Sequence, residues 1–201
     1  MGIVLFLLGF AVVFGGAVYW GVATYNRLVQ ARNGYRNAFA QIDVQLQRRF
    51  DLIPNLVATA RAYMAHESQT LEAVIAARAA AQGGLDAAKA SPGDPAAMDG
   101  LARTQAQLDG ALSRLLAVSE AYPELKASQT MMQLNEQLAS TENRVGFARQ
   151  AFNDAVTVYN DQREMFPASL IAGPYGFAPA RLLALSGAER GQMQRAPAVS
   201  L

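Results

Sequence analysis

The sequence contains no cysteine and a single histidine, His66. Without thiols there is no disulfide framework and no thiolate metal site. With one imidazole a multi-histidine metal centre is excluded, and a serine-type triad would have only His66 as its base. Lysine occurs only at Lys89 and Lys126, so the cationic side chains are nearly all arginine. The charges almost cancel, 17 Lys and Arg against 16 Asp and Glu, which leaves +1. That balance gives no support to a nucleic-acid partner. No phosphate loop or nucleophile elbow occurs either, so the sequence points to no catalytic residue, no cofactor and no metal.

Charge is missing altogether between Met1 and Asn26, where the chain is almost wholly apolar until Arg27. A helix over residues 3–23 would be about 31 Å long and match the hydrocarbon core of a bilayer. Residues 1–25 therefore read as a transmembrane anchor that meets lipid through residues 3–23. A cleaved secretory signal would need a positive start and small residues at its cleavage site, where this chain has Tyr19 and Trp20. Those two rings suit a headgroup belt instead. Arg27, Arg32 and Arg36 follow the span, so the positive-inside rule places the C-terminal part in the cytoplasm and the N-terminus outside, at the inner membrane.

Breakers are scarce from Asn26 to Phe166, and Ala, Leu, Gln, Glu and Arg dominate. Leu46, Phe50, Ile53, Val57, Ala60, Met64, Glu67, Leu71 and Val74 keep a 4-3 spacing that marks a bundle seam. Leu101, Leu108, Leu112 and Leu115 continue it in a second segment, and Leu134, Leu138, Val145, Phe152 and Tyr159 in a third. The chain is expected to be all-α, an anchor followed by an antiparallel bundle of three long helices plus a short C-terminal helix. The helices fall at about 26–84, 95–121, 124–166 and 180–185, within a bundle domain of 26–185 and before a poorly ordered tail, 186–201. Asp94 and Pro95 are placed as N-cap and first residue of the second helix, and Pro123 interrupts the chain before the third. Pro54 lies inside the first helix, where it removes the donor for the carbonyl of Phe50.

The block Gln41-Ile42-Asp43-Val44-Gln45-Leu46, then Arg48-Arg49 and Asp51-Leu52-Ile53-Pro54-Asn55-Leu56-Val57, closely resembles the bacterial LemA family. The resemblance continues at Tyr63, His66-Glu67, Ala77-Arg78, Tyr122-Pro123-Glu124, Glu142-Asn143-Arg144, Phe152-Asn153, Tyr159-Asn160 and Phe166-Pro167. Gln47 stands where members often have Lys, and Phe50 and Phe152 where they often have Tyr. The resemblance implies one membrane helix carrying a cytoplasmic helical bundle, with no established reaction.

His66-Glu67 invites a zincin reading, but the second histidine of H-E-x-x-H is replaced by Thr70. Glu67 sits on the seam and needs a partner there, so a buried polar layer of Glu67 with Asn143 and Arg144 is expected. Asp43, Arg48, Arg49, Asp51, Pro54 and Asn55, together with Tyr122, Pro123 and Glu124, form a cluster read as structural or as a docking patch. Asn55 is a candidate donor for the carbonyls that Pro54 frees. If the first helix runs to residue 84, the return helices cannot reach residues 27–50, which carry the apolar stripe Tyr35, Phe39, Ile42 and Leu46. Either another subunit covers that stripe or the third helix begins nearer the membrane, and a subunit contact is the leading expectation. The functional expectation is a membrane-anchored scaffold acting by self-assembly and partner recruitment, with a curvature-imposing oligomer as the alternative and an enzyme behind both.

Overall fold

The computed structural model describes residues 1–184, so the tail assignment at 186–201 lies outside the described residues. Within that range there is helix, turn and loop, and no strand. Helix α1 runs unbroken from Gly2 to Tyr63, 62 residues and about 93 Å. It is followed by α2 (Ser68–Ala90), α3 (Pro95–Ser119), the single turn α4 (Pro123–Lys126), α5 (Gln129–Glu164) and the single turn α6 (Ser169–Ala172).

The expected first bundle helix, 26–84, is two helices. The chain leaves helical geometry at Met64 (φ −117°, ψ 44°), and the Glu67 amide donates to the Met64 carbonyl at 3.0 Å to close a tight turn. No glycine or proline marks this turn, and the 4-3 seam runs through it in register, which is why the sequence reads as one helix. Burial supplies the physical reason. Leu71, Val74, Ala81, Leu85 and Ala88 are all within 2% of fully buried, and a straight continuation would carry them away from any partner. Folding back at residue 64 lays α2 antiparallel on α1, so that Arg78 meets Phe50 and Lys89 meets Asp43.

One extra turn reverses the direction of every later helix. α2 returns toward the apolar N-terminal stretch of α1, α3 runs away from it, and α5 comes back along α1. The most extensive helix packing is α1 on α5 and α2 on α3. Residues 27–50 are therefore covered by α5 of the same chain. The Phe39 and Phe152 rings lie 5.6 Å apart, and those of Tyr35 and Tyr159 5.1 Å, all edge-on.

Asp94 caps α3, its carboxylate accepting from the Ala97 amide at 2.9 Å, and Pro95 is its first residue, both as the sequence indicates. The preceding Gly93 has φ +86°, and a Cβ there would stand 3.0 Å from Ala180 and 3.2 Å from the Tyr35 ring. The site requires glycine twice over, by backbone and by space. The expected helix at 180–185 is absent from its described part, residues 180–184, which is extended. A short helix forms earlier instead, at α6.

Candidate functional site

The extended segment 177–184 is a strap laid along α5 and held by side chains. Asn160 grips Ala180, its amide nitrogen donating to the carbonyl at 2.8 Å and its oxygen accepting from the amide at 2.9 Å. Asn153 does the same to Leu183, at 3.1 and 2.9 Å. The spacing is a match of two periods. Seven helical residues rise about 10.5 Å, and three extended residues span about 10 Å. Tyr159 Oη donates to the Ala178 carbonyl at 2.7 Å, Arg163 Nε to that of Phe177 at 2.8 Å, and the Arg181 amide to that of Gly93 at 2.8 Å. These bonds satisfy the strap's backbone without a helix, which is why residues 180–184 stay extended. Burial raises the Tyr159 phenol above its ordinary pKa, helped by the neighbouring Tyr35.

The stripe Tyr35, Phe39, Ile42 and Leu46 is the centre of this core. None of the four is more than 5% exposed within the single chain, so the expected subunit contact is corrected to an intramolecular one. The premise failed because α5, approaching from the far end, covers what a shorter return helix would have left bare.

The charged cluster divides. Arg49 is buried and its guanidinium meets Asp109 of α3 at 2.6 Å. Asp43 pairs with Lys89 of α2 at 2.7 Å, and that hydrogen-bonded carboxylate raises the Lys89 pKa. Arg48, Asp51, Pro54 and Asn55 face outward along α1. The donor for the carbonyl that Pro54 frees is not Asn55 but Arg78, whose Nε reaches the Phe50 oxygen at 2.7 Å from α2. Asn55 is exposed and cannot serve a carbonyl on the packed side.

At the far tip, Tyr122 Oη donates to Glu67 at 3.3 Å, with Pro123 and Glu124 exposed beside it. Partial desolvation raises the Tyr122 pKa, and the Glu67 charge adds to the effect. The expected layer of Glu67 with Asn143 and Arg144 is not formed. Asn143 and Arg144 are exposed on α5, because Glu67 sits in the turn before α2 rather than on a continuous seam. His66 is exposed in the same turn.

Between α1, α3 and α5 lies a cleft of about 60 Å³, bordered by Ile42, Leu46, Gln105 and Asp109 and closed by Leu183 at the end of the strap. Both amide atoms of Gln105 are buried there without a partner. The volume suits a few waters, not a substrate of ordinary size. Among the described residues no group of three or more His, Cys, Asp or Glu could hold a metal ion.

Arg78, Asn153, Asn160 and Asp109 are the residues whose roles sequence reasoning missed. Asn153 and Asn160 carried a readable signal, two poor helix formers seven apart, each next to an aromatic seam residue.

The architecture defines a class: among the described residues, an all-helical protein built on one N-terminal apolar helix that is long and apolar enough to cross a membrane, with none of that apolar window buried by the rest of the described chain. Within that class, residues 38–200 match the LemA family model, and the chain belongs to the LemA family. It is similar to the magnetosome proteins MamQ 1 and MamQ 2 of Paramagnetospirillum magneticum, at 25% identity over 171 residues, 76% of this chain. The chain spans 62% of the length of each of these relatives.

Proposed function

We propose that this protein is a single-pass membrane post, a rigid helical bundle that displays its far tip and outward-facing side chains to protein partners at a fixed height above the cytoplasmic face of the inner membrane. The observation that carries this reading is the continuity of α1. The helix that would cross the bilayer is the same one that supplies Phe39, Ile42, Leu46, Phe50 and Ile53 to the bundle core, with no hinge between. From Ala23 to Tyr63 the helix rises about 60 Å, which sets the height of the tip. Arg27, Arg32 and Arg36 favour the cytoplasmic side for the bundle. Self-assembly is not part of this reading, since the stripe that would have driven it is interior.

The experiment is a height measurement on full-length protein reconstituted in vesicles with acceptor-labelled headgroups. Donor dyes go on single cysteines at the exposed positions Asn33 and Ser68. Strong transfer from residue 33 and weak transfer from residue 68 is expected, and a flexible insertion after Asn26 should erase the difference. Equal transfer from both sites in the uninterrupted chain would show the bundle lying flat and end the post reading.

A further inference from the structure

We infer that the corner joining α5 to α6 is a second membrane contact, in which Met165, Phe166, Leu170 and Tyr175 enter the interfacial layer of the bilayer beside α1. The inference rests on the spanning role given to residues 3–23 and adds to it a second point of attachment.

Exposure is the first ground. Among the described residues beyond residue 25, the five most exposed large apolar side chains are Phe166 (80%), Phe147 (75%), Leu170 (66%), Tyr175 (65%) and Met165 (62%). Four of the five fall within eleven consecutive residues, while the others of this kind are scattered singly over the bundle. A contiguous apolar group of this sort marks a surface that meets something other than water.

Depth is the second and independent ground. The Tyr175 ring packs edge-on against Tyr25 at 5.5 Å, and Phe177 against the same ring at 5.4 Å. Residues 1–20 of α1 are exposed throughout, but Gly21, Ala23 and Thr24 are partly covered. The folded part of the chain thus begins inside the apolar run, at the level where α1 would leave the hydrocarbon, and the segment that follows α6 packs there through Tyr175 and Phe177. Any bilayer thick enough to cover residues 3–23 brings headgroups to this corner.

The chemistry fits that layer. Tyr19, Trp20, Tyr25 and Tyr175 ring the boundary with groups that are apolar in body and polar at the tip, the pattern of an interfacial belt. Arg27 is exposed four residues beyond the apolar run, about 6 Å further along α1, where phosphates lie. Arg163 holds the Phe177 carbonyl through Nε and meets Glu164 at 3.5 Å, and the Glu164 side chain, 69% exposed, stands beside the apolar group with its charge partly offset. Continuity with the spanning helix makes lipid the occupant ahead of a second copy of the chain. A second point of attachment would fix the rotation of the bundle about α1 and reinforce the height that the continuous helix sets.

The absence of cysteine makes the test direct. Single-cysteine variants Phe166→Cys and Leu170→Cys of the full chain carry a nitroxide label in phosphatidylcholine–phosphatidylglycerol vesicles, with Val12→Cys as the lipid reference and Phe147→Cys as the water reference. Collision with oxygen, which partitions into lipid, is compared with collision with a water-soluble nickel chelate. The labels at 166 and 170 should show an oxygen-to-chelate ratio several-fold above that at 147, approaching that at 12. If they match 147 while 12 reads as lipid, the corner stands in water and the inference is overturned with the span intact. If 12 also matches 147, the chain does not span and the anchoring reading falls with it. Shielding from both reagents with spin–spin broadening would mean a second copy covers the corner, which also overturns it.

Discussion

The two parts of α1 that lie in the bundle, residues 28–46 nearer its apolar start and residues 50–64 at its far end, are both well buried but by different means. Around residues 28–46 the cover is aromatic and distant in sequence, supplied by Phe152, Tyr159 and Phe177, and the strap over it is held by side chains bonded to backbone. Around residues 50–64 the cover is aliphatic, and much of it is local, with α2 folded straight back through Leu71 and Val74. Polar contacts there are few, chiefly Arg78 on Phe50 and Tyr122 on Glu67. A local hairpin needs only apolar matching to close. An extended strap carries backbone groups that no neighbouring strand can satisfy, so it needs named donors and acceptors. The near end should therefore be fragile to single polar substitutions in a way the far end is not, except at Arg78.

The largest effect belongs to the aromatic centre. Phe152→Ala should lower stability by about 3–5 kcal/mol, a large part of a domain's margin, as read by chemical denaturation in detergent. If it cost no more than an exposed substitution such as Phe147→Ala, the near half would not be a packed core. Next comes the far half's one polar weak point. Arg78→Met should cost about 1–3 kcal/mol by leaving the Phe50 carbonyl unpaired, while Asn55→Ala should fall within about 0.5 kcal/mol of wild type. The reverse ranking would return the proline-freed carbonyl to Asn55.

The strap variants come third. Asn153→Ala and Asn160→Ala should each cost about 1 kcal/mol, because a released strap can bond water instead. Their signature is local. Hydrogen exchange at the Ala180 and Leu183 amides should quicken while the α2 amides keep their protection, and uniform loss across both regions would contradict the division of the core. Smallest is Tyr159→Phe. The folded state holds this phenol's proton above its ordinary value of 10.0, so its contribution is complete below about pH 10 and is lost as pH rises through the raised folded value. Removing the hydroxyl should flatten that alkaline loss of stability in denaturation curves from pH 9 upward. An unchanged alkaline limb would place the titrating group elsewhere.

The all-helical class, the apolar first helix and the Asp94–Pro95 start of α3 were legible because each rests on a local signal: absent charge, sustained period, a cap before proline. The turn at Met64–Glu67 was not, since its residues neither break a helix nor shift the seam, and its cause is the burial of Leu71 through Ala88 against a helix many residues away. Missing that turn inverted α3 and α5 and left Tyr35, Phe39, Ile42 and Leu46 looking bare. The strap was misread for a related reason. Ala180 to Leu183 has helical composition, and only the two asparagines of α5, each bonding both an amide and a carbonyl, hold it extended.

The account stands on the claim that residues 27–50 are covered from within one chain. Its most direct test is the melting midpoint of the full-length protein in detergent across a hundredfold range of protein concentration, for wild type and Phe39→Ala. Intramolecular cover predicts a midpoint independent of concentration in both, with Phe39→Ala melting far lower throughout. A wild-type midpoint that climbs with concentration, and a Phe39→Ala protein that loses that climb while keeping its low-concentration midpoint, would show the stripe to be shared between subunits and contradict the account.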